Sequence, residues 1–108
     1  MTHDAVLNQL GLIANEALLV QLENIEKNTH GYEKIIKHIL DLHEALKTSE
    51  SYVALSNSED YFKIKIDATS DIAKADAVEK INHFCEKYKV EVQKVQGKPT
   101  YYILGFAK

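Results

Sequence analysis

Hydrophobic positions recur at helical spacing through residues 4–27, where Val6, Leu10, Ile13, Ala17 and Val20 share one side of a projected helix and Leu7, Ala14, Leu18 and Ile25 lie beside them. The pattern predicts one long helix. Its polar side, set by Asn8, Asn15, Glu16 and Glu23, is interrupted by Leu12 and Leu19, with Leu22 close by. One packing neighbour cannot cover both stripes. In the NTHGYE segment that follows, Gly31 suits a positive φ, and Asn28 or Thr29 suits a helix end or cap. A second helix is expected over about 31–47, with Tyr32, Ile35, Ile36, Ile39, Leu42 and Leu46 on one arc and Lys34, Lys37, Asp41 and Glu44 opposite. The two together make a helical hairpin over residues 1–48.

From residue 51 the period changes. SYVALS is short and apolar, NSED is turn chemistry, and YFKIKID alternates strictly, which predicts a hairpin whose second strand buries Phe62, Ile64 and Ile66. Thr69 or Ser70 then caps a third helix over about 71–89, with Ala73, Ala77, Ile81, Phe84, Cys85 and Tyr88 on its inner stripe. VEVQKV, the QGKP turn and TYYILGFA form a closing hairpin, and the last strand, apolar on both faces, suits a central position covered on two sides. A right-handed strand-helix-strand connection makes strands 61–66 and 90–95 parallel and leaves room for strand 100–106 between them. The fold class is therefore α+β: a helical hairpin followed by a ββαββ part, residues 51–108, carrying a four-stranded antiparallel sheet. This arrangement resembles a circularly permuted ferredoxin-like sandwich. The resemblance concerns architecture and transfers no activity.

With 108 residues, 45% hydrophobic and 27% charged, the chain matches a single folded domain able to bury one core. The single cysteine, Cys85, excludes an internal disulfide and fits a reducing compartment. The N-terminus has no basic region ahead of an apolar stretch, and the apolar runs fall far short of the ~20 residues a membrane span needs. A cytoplasmic protein with no membrane association is the expectation. Charge is unevenly distributed: residues 1–60 hold four lysines against ten acids, net −6, and residues 61–108 hold nine lysines against six acids, net +3. All thirteen basic residues are lysine, so bidentate guanidinium recognition of phosphate or guanine is absent.

Candidate chemistry is sparse. The histidines His3, His30, His38, His43 and His83 make no H-E-x-x-H pattern, although His38 with Asp41 and His83 with Glu86 have the helical spacing of ligands in a larger site. A general acid or base drawn from His38, Asp41 or His43 is the enzyme reading. His43 falls inside the apolar arc of its helix, where a core histidine with one satisfied hydrogen bond is the ordinary explanation. Cys85 sits on an inner stripe and suits packing better than nucleophilic attack. No nucleophile elbow or phosphate-binding glycine loop occurs, so neither catalysis nor a cofactor is expected. The leading expectation is a small protein-interaction or regulatory domain that acts through the leucine stripe, unless the chain's own sheet buries that stripe, and the alternative is a sheet-face binding module. Leu12, Leu19 and Leu22 are candidates for an apolar interface, most simply a homodimer or a contact with another protein partner. Tyr61, Lys63 and Lys65, with Tyr101 if strand 100–106 is the neighbour, are candidates for stacking and neutralising a nucleic acid or small ligand on the sheet face.

Overall fold

The N-terminal apolar stretch folds as two helices, and the reason lies at Gly11. In the computed structural model, which describes residues 1–107, α1 spans His3–Gln9 and is capped by the Thr2 hydroxyl, which accepts from Ala5 N at 3.1 Å. It ends in a Schellman motif: Gly11 takes φ +84°, its N–H reaches Asn8 O at 3.0 Å, and Leu12 N reaches Leu7 O at 2.9 Å. Asn15 then starts α2, Glu16–Asn28, its side chain accepting from Leu18 N at 2.8 Å. The expected single helix over 4–27 is thus corrected to two helices, joined by residues that end one and cap the next. Leu12 follows as the apolar residue that a Schellman turn packs back on the helix it closes.

Gly31, at φ +70°, turns the chain into α3, Tyr32–Leu46, whose inner arc is buried as the periodicity indicates: Ile35, Ile36, Ile39, Leu42 and Leu46 all lie in the core. A 3-10 turn, Lys47–Ser49, leads into β1, Ser51–Leu55, followed by β2, Phe62–Ile66. Ser70 caps α4, Asp71–Tyr88, accepting from Ala73 N at 3.1 Å, and β3, Val90–Lys94, and β4, Thr100–Phe106, complete the chain.

The fold is α+β, the described residues forming four α-helices and a four-stranded antiparallel sheet in the order β1-β2-β4-β3. Both neighbours of β4 run antiparallel to it, so β2 and β3 are parallel and separated by it. Alternation assigns the two faces. Phe62, Ile64 and Ile66 point inward and are buried beside Val53, Leu55 and Ile103, under α3 and α4. Each fully buried large apolar side chain contributes about 2 kcal/mol. β4 is central in the sheet but covered on one face only, which corrects the two-sided expectation: Thr100, Tyr102 and Leu104 on its other side stay half-exposed.

α1 and α2 close one end of the core. Val6, Leu7, Leu22 and Ile25 have no exposed surface, and α2 is tied to the β1–β2 connection by Gln21 Nε2 donating to Ser56 O at 2.6 Å and Asn28 Nδ2 donating to Asp60 O at 3.0 Å. The α2–α3 link crosses the end of β4 at backbone contact. Phe106 N donates to His30 O at 2.6 Å, and a Cβ on Gly105, φ +136°, would lie 2.5 Å from both His30 N and His30 O. At the opposite end of α3, the Lys80 ammonium donates to Ala45 O at 2.8 Å and Thr48 Oγ1 at 2.7 Å while pairing with Asp76 at 2.9 Å, placing a cation at a helix C-terminus. Among the described residues no helix is long and apolar enough to cross a membrane.

The crossing predicts unequal costs for two glycines. Gly105→Ala should destabilise the fold by about 3 kcal/mol, because the methyl group meets backbone that cannot move independently. Gly97→Ala, with φ +76° and open space around it, should cost about 1 kcal/mol of left-handed strain alone. Urea denaturation of both variants checks the difference.

Candidate binding face

The alternation that buries Phe62, Ile64 and Ile66 sends Lys63 and Lys65 to the opposite face of β2. Lys63 sits between Ala54 on β1 and Tyr102 on β4, and Lys65 between Tyr52 and Thr100. None of these residues is buried. Tyr61, at the entry to β2, brings its ring to 5.7 Å from that of Tyr102 at an interplanar angle of 33°. The 56–60 connection folds over this end of the face, with the Ser58 and Tyr102 hydroxyls 3.1 Å apart. Between that connection and the β3–β4 turn lies a cleft of about 210 Å³ lined in part by Lys63, Lys65, Lys98 and Tyr102.

Tyr61, Lys63 and Lys65 are therefore brought together, and Tyr101 is not. Tyr101 pairs with Ile64 in the ladder, which puts it on the inner face, where it packs against the core with the Lys94 ammonium 6.0 Å from its ring centroid. Tyr102 takes the place expected of Tyr101, and Tyr52 adds a third open-face aromatic ring. Both were readable from strict alternation had register been assigned from β2: Tyr52 is the outward position of SYVAL, and Tyr102 stands opposite Lys63.

The N-terminal leucines lie elsewhere. Leu22 is fully enclosed in the chain's own core, and Leu12 and Leu19 are half-buried against it. The large apolar side chains most open to solvent in this region are Ile13, 87% exposed, Met1, 60%, and Val20, 51%.

The histidines and the cysteine fall in distinct settings. His38, Asp41 and His83 line one groove of about 450 Å³ between α3 and α4, floored by Leu42 and Phe84, and the His38 ring stacks on Tyr88 at 3.7 Å. Among the described residues no group of three or more His, Cys, Asp or Glu side chains is placed to hold a metal ion. Burial, and then the neighbouring Glu86, pushes the Cys85 thiol above its ordinary value, which disfavours the nucleophilic thiolate. Asp76 is held below the usual carboxylate range by the Ser49 hydroxyl and by Lys80, and its bond to Ser49 ties α4 to the 3-10 turn that follows α3.

His43 has a structural task on β1. That strand is a sheet edge, and Val53 N–H, pointing away from β2, donates to His43 Nδ1 at 3.0 Å. The imidazole is 95% buried and neutral with its proton on Nε2, since Nδ1 is the acceptor. Burial, and then Lys47, hold it below its ordinary value, against an opposing pull from Glu44. It occupies an edge donor that would otherwise be free to pair with another strand.

No family model, curated protein or solved structure matches this chain.

The His43 contact predicts an acid-sensitive stability. In the unfolded chain the imidazole takes up a proton near pH 6.5, whereas in the fold it does so only at lower pH. The contribution is complete above about pH 6.5 and is lost as pH falls through the depressed folded value, since the unfolded state binds more protons in between. His43→Asn, which keeps an acceptor at the Nδ1 position, should flatten this component in denaturation measured between pH 7.5 and 5. His43→Phe should cost about 1–3 kcal/mol at pH 7.5 by orphaning the Val53 N–H. A wild-type acid slope retained by His43→Asn would contradict the assignment.

Proposed function

We propose that this protein is a binding module whose open sheet face takes single-stranded nucleic acid, without catalysis of its own. The observation that supports the reading is the Tyr61–Tyr102 pair beside Lys63 and Lys65 on a face that no helix covers. Bases stack on aromatic rings without sequence preference, and ammonium groups at strand spacing neutralise successive phosphates. Net charge of −3 does not oppose this, because the local field matters and the lysines are concentrated in the C-terminal part. In this reading the chain is a single cytoplasmic domain, and from α3 onward it resembles a circularly permuted ferredoxin-like sandwich, whose sheet leaves one face free in the same way.

A second reading, a protein-interaction or regulatory domain that forms homodimers, is favoured by a different observation: Ile13 and Val20 stand exposed on the outer side of the α1–α2 region. Sedimentation at high concentration separates the two, since Val20→Lys shifts a dimer built on this patch towards monomer and leaves oligonucleotide binding alone.

The test of the primary reading is fluorescence anisotropy with labelled single-stranded oligonucleotides at low salt. The wild type should bind with a log–log salt slope of about −1.4 for two phosphates neutralised on a single strand. Lys63→Glu with Lys65→Glu should abolish binding, and Tyr102→Ala should weaken it roughly 5- to 100-fold, the worth of one stacked base. Absence of any binding at low salt would remove the proposal.

A further inference from the structure

The cleft across the open face is chemically different from the stacking pair beside it. Its floor is formed by Lys63, Lys65, Thr100 and Tyr102, with Asn57 at one rim and Lys98 at the other, in a volume of about 210 Å³. Three lysines line it, and among the described residues no carboxylate does. The ion pairs among the described residues involve His3, Lys47 and Lys80, leaving Lys63, Lys65 and Lys98 without acidic partners. Elsewhere Lys47 pairs with Glu44 and Lys80 with Asp76, while Lys27, Lys37, Lys74 and Lys89 also make no ion pair, so it is the convergence of three lysines on one cleft that sets this site apart. Beside them the Thr100 hydroxyl and the Asn57 amide can donate hydrogen bonds, and the Ser58 and Tyr102 hydroxyls, 3.1 Å apart, lie at the same wall as Ser56, with Val95 opposite. Such a lining selects a compact oxyanion.

We propose that this cleft is a phosphate subsite that takes a phosphomonoester, the terminal phosphate of a nucleic-acid strand or of a free nucleotide. The inference rests on the nucleic-acid reading of the face and adds to it a preference for a particular end of the ligand. Three cations match a dianionic monoester better than an internal diester, which carries one charge. The cleft is also walled, by residues 56–58 on one side and by Val95 and Lys98 on the other, which suits a group that terminates there. Tyr102 lines the cleft and belongs to the stacking pair, so a base attached to the bound phosphate reaches the Tyr61–Tyr102 rings without leaving the face.

The experiment titrates the intact chain, labelled with 15N, with tetra-adenylate carrying a terminal phosphate, with the same tetranucleotide bearing hydroxyls at both ends, with AMP and adenosine, and with inorganic phosphate. The phosphorylated tetranucleotide should bind at least fivefold more tightly than the hydroxyl-ended one, and AMP should exceed adenosine by a similar factor. Inorganic phosphate should shift the amides of Asn57, Ser58, Lys98 and Thr100. Lys98→Gln should erase the phosphate preference while leaving the hydroxyl-ended affinity within about twofold and the melting temperature unchanged. A phosphorylated tetranucleotide tighter than AMP identifies a strand end as the source; equality identifies a free nucleotide. Equal binding of both tetranucleotides overturns the subsite and leaves the stacking reading standing. Binding of neither overturns both.

Discussion

The open face exists because the buried apolar stripes of α3 and α4 are gathered on one side of the sheet. Phe62, Ile64 and Ile103 are fully enclosed there together with Ile35 and Ile39 of α3 and Ile81 of α4. A strand with period-two alternation that buries one set of residues must present the other, and on β2 the other set is lysine. Two lysines two residues apart on one face of a strand repel each other, and although their stems lie beside Ala54, Tyr52 and Tyr102, their ammonium groups need water or an anion to solvate them. Every inference about function follows from that division of β2 into an apolar and a cationic side.

The position of the N-terminal helices completes it. Residues 28–31 are pinned to the end of β4 by the His30–Gly105 approach and the Phe106 N to His30 O bond, and α2 is held to the β1–β2 connection by Gln21 and Asn28. These tethers direct α1 and α2 over an end of the core, where Val6, Leu7, Leu22 and Ile25 are consumed, and away from the lysine face. The same arrangement treats the two sheet edges differently. β1 has its outward Val53 N–H taken by a buried histidine, whereas β3 is an open edge that carries a register shift between Glu91 and Val92, a bulge of the kind that discourages pairing with another chain.

Much of this was legible in the chain itself. Strict alternation in FKIKI identified the buried and exposed positions of β2, the change of period at residue 51 located the start of the sheet, and the right-handed crossover rule predicted β4 between β2 and β3. Ser70 announced α4 through its cap. Two features were misread for identifiable physical reasons. Apolar spacing continues in phase across residues 10–15, so periodicity alone hid the break that Gly11 and the Asn15 cap produce. In TYYILGF, apolar residues fall on both faces, and without alternation the register slips by one, which puts Tyr101 where Tyr102 stands on the open face. Both errors concern places where hydrophobicity is uniform and backbone geometry decides. Burial of Leu22 could not be read at all, because it depends on which end of the core the helix reaches.

The central claim, that the lysine and tyrosine side of the sheet is the surface at which this protein meets its ligand, is tested most directly by mapping amide shifts on a hydroxyl-ended, ten-residue single-stranded RNA complex. The account predicts perturbations confined to Tyr52, residues 58–65 and residues 100–104, with the α3–α4 groove silent. Shifts centred on His38, His83 and Tyr88 instead, or on α2 around Val20, would contradict it.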